Sequence, residues 1–460
     1  MLSHKKQEVY KDMKEMTKGS PFRIIVSFTI PLIFGNLLQQ LYNIVDSKIV
    51  SAYVSSDAFA AVSLTAVISN MLIGFINGCT QGFAIPVALH FGAQSPVQMR
   101  KNIAGSLKLV LLDVVMLMSF GLLFIEPILH LINTPDNIFA DALSYVRIIL
   151  LGIPFISLYN ECANVLRAVG DSRTPLYFLL VSVILNTCFD LLFVKVLHFG
   201  IQGAAAATIL SQFLCAFACL VYIRLKYKEI IPQKEEWKPD RRTYSRLISS
   251  GLSMGLMGCI VNIGTIILHS GLNSLGTPTI TAHSAARRFI DMLMILIYTY
   301  GFTMTTYSSQ NLGAGEHKRI RDGVRTSVLI VTVISTLLIF VCYLVARPIV
   351  QWIASTEDPA IVQMSVNYCR FNVLFFYALG PLFIFRCSLQ GLGHRVIPLT
   401  ASVLELCIKI CAVLFLVPRY DYWGVIVAEP LSWVVMTTLL FLGYVHTIRQ
   451  LGPDHPIIGP

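Results

Sequence analysis

Four side chains able to hold a small cation or a proton, Asp46, Asn186, Asp190 and Thr208, sit in or at the end of segments otherwise built of hydrocarbon. An ionisable group in such a segment costs about 2.5 to 3.5 kcal/mol to place in a bilayer, so its presence asks for a use. Asn186 and Asp190 are one helical turn apart and share a face. At about 1.5 Å per residue, Asp190 lies about 24 Å into its segment, and Thr208, on the next segment running back, lies about 10 Å in from the far side. Asp46 closes the first apolar segment toward that same side, just beyond Tyr42 and Asn43. Two carboxylates, an amide and a hydroxyl at similar depth make a hard-oxygen set for Na+, or a set whose carboxyls bind H+. The competing assignments are an interfacial helix cap for Asp46 and a salt bridge to Lys195 for Asp190.

A second group of charges lies further along. Arg287, Arg288 and Asp291 share one apolar segment, and Glu405 and Lys409 share another. Arg287 with Asp291, and Glu405 with Lys409, stand four apart, which suits mutual neutralisation; lining of a cavity is the other reading. Asp113 and Glu429, the latter just before Pro430, are left open. Pro31 and Gly35 interrupt the first segment, where a proline frees a carbonyl and favours a kink, so Pro31 is a candidate hinge or a fixed bend.

The elements that position these groups follow from composition. The chain is 55% hydrophobic and 13% charged, with a mean hydropathy of +0.70, against about 25% charged residues in a soluble domain. Apolar runs long enough for a core of about 30 Å recur from end to end. Twelve spans are expected, at 22–47, 58–85, 102–125, 138–165, 174–197, 201–224, 245–271, 280–307, 323–346, 360–387, 396–417 and 424–447. Between the spans and at their ends, Lys and Arg gather on the side of the N-terminus, leaving Lys48, Lys195, Arg347 and Arg419 on the other. Cationic loops stay in the cytoplasm, so both termini are expected there. The net charge of +10 is thus a topology signal, with the lipid bilayer and not nucleic acid as partner. The 11 cysteines form no C-x-x-C pair and read as small buried apolar residues.

The halves repeat at an almost constant offset. Leu166-Arg-Ala-Val-Gly170 with Pro175 answers Leu389-Gln-Gly-Leu-Gly393 with Pro398, Gly92-Ala93 answers Gly313-Ala314, and Gly203, Ala207 and Ser211 answer Gly424, Ala428 and Ser432. The expected fold is an all-α integral membrane protein of twelve transmembrane helices in two six-helix lobes, related by a pseudo-two-fold axis along the membrane normal. Its parts are a cytoplasmic tail (1–21), an N-lobe (22–225), an interlobe linker (226–244), a C-lobe (245–448) and a second tail (449–460). Parallel repeats of this kind move solutes by alternating access through a path between lobes. No Walker loop or H-E-x-x-H motif is present, and no catalytic constellation marks an enzyme. A duplicated chain completes its own cavity, so a monomer is expected.

Several stretches together carry a family resemblance: Pro31 with Gln39-Gln40-Leu-Tyr42-Asn43-Ile-Val-Asp46, Leu166-Arg-Ala-Val-Gly-Asp171-Ser with Pro175, Asn186 with Asp190, Gly200-Ile-Gln-Gly203-Ala with Ala207-Thr208, Gln310-Asn-Leu-Gly-Ala314, and Gln390-Gly-Leu-Gly393. In this order, the chain resembles the multidrug and toxic compound extrusion (MATE) family over essentially its whole length. The resemblance implies multidrug efflux at the cell membrane: antiport of amphipathic, often cationic small organic molecules against Na+ or H+, with no other cofactor. Asp46, Asn186, Asp190 and Thr208 match the N-lobe cation site of the DinF-like branch. Lys48, directly after Ser47, departs from the usual smaller or apolar residues and is a further possible partner for Asp46. The NorM-like site needs carboxylates on the seventh and tenth helices, where this sequence has none. The alternative within the superfamily is a flippase of lipid-linked oligosaccharide precursors, for which Arg147, Arg287, Arg288 and Arg370 are the basic candidates.

Overall fold

The computed structural model describes residues 15–451. Most of the two expected tails, 1–14 and 452–460, lies outside the described residues. The helices are α1 (Pro21–Tyr53), α2 (Ser56–Gly92), α3 (Pro96–Leu131), α4 (Asp136–Ala168), α5 (Arg173–Asp190), α6 (Gly200–Lys226), α7 (Arg241–Asn273), α8 (Thr277–Gly313), α9 (His317–Ala354), α10 (Pro359–Leu374 and Phe376–Gly391), α11 (Val396–Cys411) and α12 (Tyr422–Gln450). Among the described residues 11 helices are long and apolar enough to cross a membrane, and the two arms of α10 together make a twelfth span. The helices overrun the expected spans, as α3 does at both ends of 102–125, because a helix continues into the interface after its hydrocarbon stretch has ended.

The span expected at 360–387 is bent by 52° between Leu374 and Phe376. Asn372 turns its amide onto the Tyr368 carbonyl at 3.1 Å, and Pro381 has no N–H to give the ladder, so backbone bonding is weakened on both sides of the break.

Burial is set by a bilayer and not by water. On α9, Leu329, Val333, Leu337, Phe340 and Leu344 are exposed at helical spacing, and Leu111, Val115 and Leu123 do the same on α3. In lipid this costs nothing, whereas interior polar groups must be satisfied. Thr29, Thr65 and Thr299 accordingly donate to the carbonyls of Ile25, Ala61 and Ile295 one turn back, at 2.7, 2.8 and 2.6 Å. The cysteine expectation is corrected in part: Cys188, Cys407 and Cys411 are exposed, since a thiol is apolar enough to face hydrocarbon as well as a core.

The chain packs as two units, one of Ile30–Gly258 and one of Met16–Thr29 with Cys259 onward. In the first, α2 packs on α3 and α4, while α4 and α5 pack on α6; in the second, α8 packs on α9 and α10, while α10 and α11 pack on α12. The turns repeat as well. α4 closes on Gly170 at φ 90° with the Asp171 N–H on the Leu166 carbonyl, and α10 closes on Gly393 at φ 83° with the His394 N–H on the Leu389 carbonyl, both at 2.9 Å. This left-handed closure favours glycine and explains the last residue of both motifs. α5 and α11 each end in a π-helical turn, Leu191–Val196 and Ala412–Leu416.

The motif residues outside the spans fasten chain ends. Asp171 accepts the N–H groups of Arg173 and Thr174, both at 3.0 Å, and the Tyr227 hydroxyl at 2.7 Å. In the second unit Gln310 accepts the Met16 N–H at 2.9 Å, and Arg319 donates to the carbonyls of Met16 and Gly19 at 3.1 and 2.8 Å. The stretch 226–244 carries two short 3-10 turns, Lys228–Ile230 and Lys234–Trp237. It is tied to α3 by a two-pronged pair of Arg100 with Glu236 at 2.7 and 2.8 Å.

Candidate functional site

The first unit encloses a cavity of about 570 Å³ lined by α1, α2, α4, α5 and α6, with Asp46, Tyr42 and Thr208 in its wall. Behind that wall sit Asn186 and Asp190, 2% and 0% exposed. The Tyr42 hydroxyl meets the Thr208 hydroxyl at 3.2 Å, and the Asn186 amide donates to the same oxygen at 3.5 Å. The four residues singled out from sequence are therefore drawn from three helices to one locus. Asp190 is placed there because α5 remains helical down to it before relaxing into the π turn, a local widening common beside functional groups.

What sets this locus apart is what its carboxyls lack. Oδ1 of Asp46 and both carboxyl oxygens of Asp190 are buried without a hydrogen-bond partner. The two groups lie near enough to act on each other electrostatically. Neither lysine weighed as a partner pairs with them among the described ion pairs: Lys48 is exposed, and Lys195 sits over the Tyr53 ring, 5.1 Å from its centroid. Buried negative charge with no cation is costly, so the site has the chemistry to draw in a proton or a hard monovalent cation. Asp46, Asp190, the Thr208 hydroxyl and the Asn186 carbonyl oxygen are the donors available for it.

The second unit's charges are arranged the other way. Arg287 pairs with Asp291 at 2.8 Å and with Glu429, whose other oxygen accepts the Tyr368 hydroxyl at 2.9 Å. Lys409 pairs with Glu405 at 2.9 Å and stands 3.9 Å from Glu429, and Arg386 stands 3.9 Å from Glu405. Three acids face three bases. Both i,i+4 pairs read from the sequence are formed, and Glu429 is the acid that joins them. Arg288, by contrast, is exposed.

Sequence reasoning passed over part of the cavity wall. Tyr145, Asn160, Asn164 and Arg167 on α4, with Asn77 and Gln81 on α2, line it. The available signal was a polar stripe of Asn160, Asn164 and Arg167 at helical spacing inside an apolar run. Glu161 was also missed; it is 1% exposed and accepts the Ser106 hydroxyl at 2.5 Å, away from the cavity.

The family model described as MatE matches residues 31–192 and 254–414, one stretch in each half of the chain. The chain belongs to the MatE family. This MatE chain is 25% identical over 444 residues to the probable multidrug resistance protein YoeA of Bacillus subtilis (strain 168), covering 94% of this chain and 95% of that one. It is 22% identical over 438 residues to an FAD transporter of Shewanella oneidensis, covering 93% and 95%. Among solved structures, one described as the outward-facing conformation of a multidrug resistance MATE family transporter matches with a TM-score of 0.87 at 21% identity, over 95% of this chain and 98% of that one. That last likeness is one of fold. With its spans, family membership makes the chain a multi-pass membrane transporter and not an enzyme.

Proposed function

We propose that this MatE transporter exports amphipathic, often cationic organic compounds across the plasma membrane, with both termini cytoplasmic, by antiport against Na+ or H+. The observation that carries the reading is the pair Asp46 and Asp190: buried carboxyl oxygens without partners, one at the wall of a cavity of about 570 Å³ and one behind it. An ion bound there and an organic compound bound in the cavity compete for electrostatic balance. If each favours a different state of one conformational equilibrium, their fluxes are coupled. Relatives named multidrug resistance protein and multidrug export protein support the organic substrate. α1 passes from one unit to the other between Thr29 and Ile30, directly before Pro31, which supports Pro31 as the place for α1 to bend as the state changes.

A flippase of lipid-linked precursors would want unpaired basic residues for a pyrophosphate. Two of the four basic candidates, Arg147 with Glu126 at 2.9 Å and Arg287 with two acids, are paired and not free for it, whereas Arg288 and Arg370 are in no described ion pair. The deciding measurement is ethidium efflux from proteoliposomes with Na+ and H+ gradients imposed separately. Asp190→Asn is expected to lose gradient-driven efflux by about tenfold or more, the cost of removing one charge-assisted contact, while still inserting and folding. Undiminished efflux in that variant would sink the assignment, and no wild-type response to either gradient would sink antiport itself.

A further inference from the structure

The same cavity has a second charged end. On α4 the lining residues Tyr145, Asn160, Asn164 and Arg167 follow one face for about 33 Å at 1.5 Å per residue. Tyr145 lies beside Asp46 and Asp190, so Arg167 marks the opposite end. Its guanidinium is held in place: NH1 donates to Asn164 Oδ1 at 3.1 Å, and Asn164 in turn donates to Thr80 at 3.1 Å. It is not neutralised. No described ion pair includes it, its Nε is buried without a partner, and the ionisable groups closest to it are Tyr159 and Cys219, both uncharged. The C-terminus of α4 beside it offers about 0.3 to 1 kcal/mol of dipole stabilisation, well short of what a buried charge gives up on leaving water.

We infer that Arg167 is an anion subsite of the transport cavity, and that the compounds this chain binds include aromatic amphiphiles bearing a carboxylate, received by the guanidinium with the Asn164 and Asn160 amides beside it. A planar guanidinium with open donors fits a carboxylate in a way that a lipophilic cation cannot use. The cavity then sorts a zwitterion by its ends: cationic groups belong toward Asp46 and acid groups toward Arg167. This rests on the reading of the cavity as the site of the transported compound.

The test is fluorescence-polarisation titration of the full-length purified chain with rhodamine B, whose benzoate is free, and with its ethyl ester, which has no acid group. Wild type is expected to bind both. Arg167→Gln is expected to weaken rhodamine B about tenfold or more and to leave the ester within about twofold, so that retained ester binding reports a folded cavity. Arg167→Lys should recover most of the loss for the acid. Equal weakening of both dyes, or wild-type binding of the ester but not of rhodamine B, would overturn the subsite while leaving export of cations intact. Binding of neither dye by wild type would remove both readings. If Arg167→Gln fails to fold, Arg167→Lys decides alone: it should shift rhodamine B binding modestly while leaving the ester within about twofold of wild type, and an equal shift of both dyes refutes the anion contact.

Discussion

The two units answer the same problem, charge inside a membrane, in opposite ways. In the first, Asp46 and Asp190 stand together with buried oxygens, and no described ion pair includes them. In the second, Glu429, Glu405 and Asp291 stand among Arg287, Lys409 and Arg386. A neutral network of buried charges has nothing to gain from an ion or a proton; it gains from staying intact. An acid pair without counter-charge is complete only when something mobile arrives. On the proposed reading, a duplicated fold has kept matching turns and helix packing while dividing the roles of its polar groups, exchange in one half and fixation in the other.

The sharpest way to break this contrast is to make the same change in both places and read stability. Glu429→Gln takes from Arg287 and Lys409 the acid they share, leaving Arg287 with the half-exposed Asp291 and Lys409 with Glu405, and breaking a buried pair from one side costs up to about 3 to 5 kcal/mol. Asp190→Asn strands nothing and removes a repulsion with Asp46, so its melting temperature should equal or exceed wild type. Thermal melts of the two purified variants in one detergent measure both. Equal destabilisation would mean that the first unit's acids also hold structure together.

A smaller effect bears on the proposed ion site. Tyr42 touches Thr208 at 3.2 Å but carries no charge at neutral pH, so Tyr42→Phe removes one neutral hydrogen bond, about 0.5 to 1.5 kcal/mol. The ion concentration for half-maximal efflux should rise a few-fold with little change in maximal rate. A collapse of maximal rate with unchanged ion dependence would instead place Tyr42 in the path of the organic compound.

Much of this contrast was legible in the sequence, and the reason is specific. Asp46, Asn186, Asp190 and Thr208 stood out because an isolated polar residue in an apolar run is visible against its background, and the one-turn spacing fixed its face. The pairs Arg287–Asp291 and Glu405–Lys409 were legible for the same reason, since both partners lie on one helix. What was not legible was contact between helices: that Glu429 joins the two pairs, that Asp190 lies behind the cavity wall while Asp46 lies in it, and that Arg167 opens into the same cavity. The Leu166 to Gly170 motif also hid its parts. Gly170 and Asp171 build a turn and a cap, whereas Arg167, before them in the motif, lines the cavity, as do Ser172 and Pro175 after them. The break in α10 was invisible because both of its arms are apolar.

The last effect concerns a pair at the edge of the membrane. Burial draws the Glu236 carboxyl upward, but its bonds to Arg100 at 2.7 and 2.8 Å and to the Gln233 N–H at 2.7 Å more than offset this and hold it below the ordinary glutamate range. A group whose folded value is depressed adds stability above its unfolded value, about 4.3 for glutamate, and loses it as pH falls through the folded one. The gap in melting temperature between wild type and Glu236→Gln should therefore be flat from neutral pH down to about 5 and close below about 4. Its size should correspond to about 1.5 to 3 kcal/mol, as for a hydrogen-bonded charged group that the fold largely covers. A gap that persists unchanged to pH 3 would mean that the Arg100 contact works through packing and not charge, and one as large as that of Glu429→Gln would mean that depth in the membrane is not what separates fixed pairs from weaker ones.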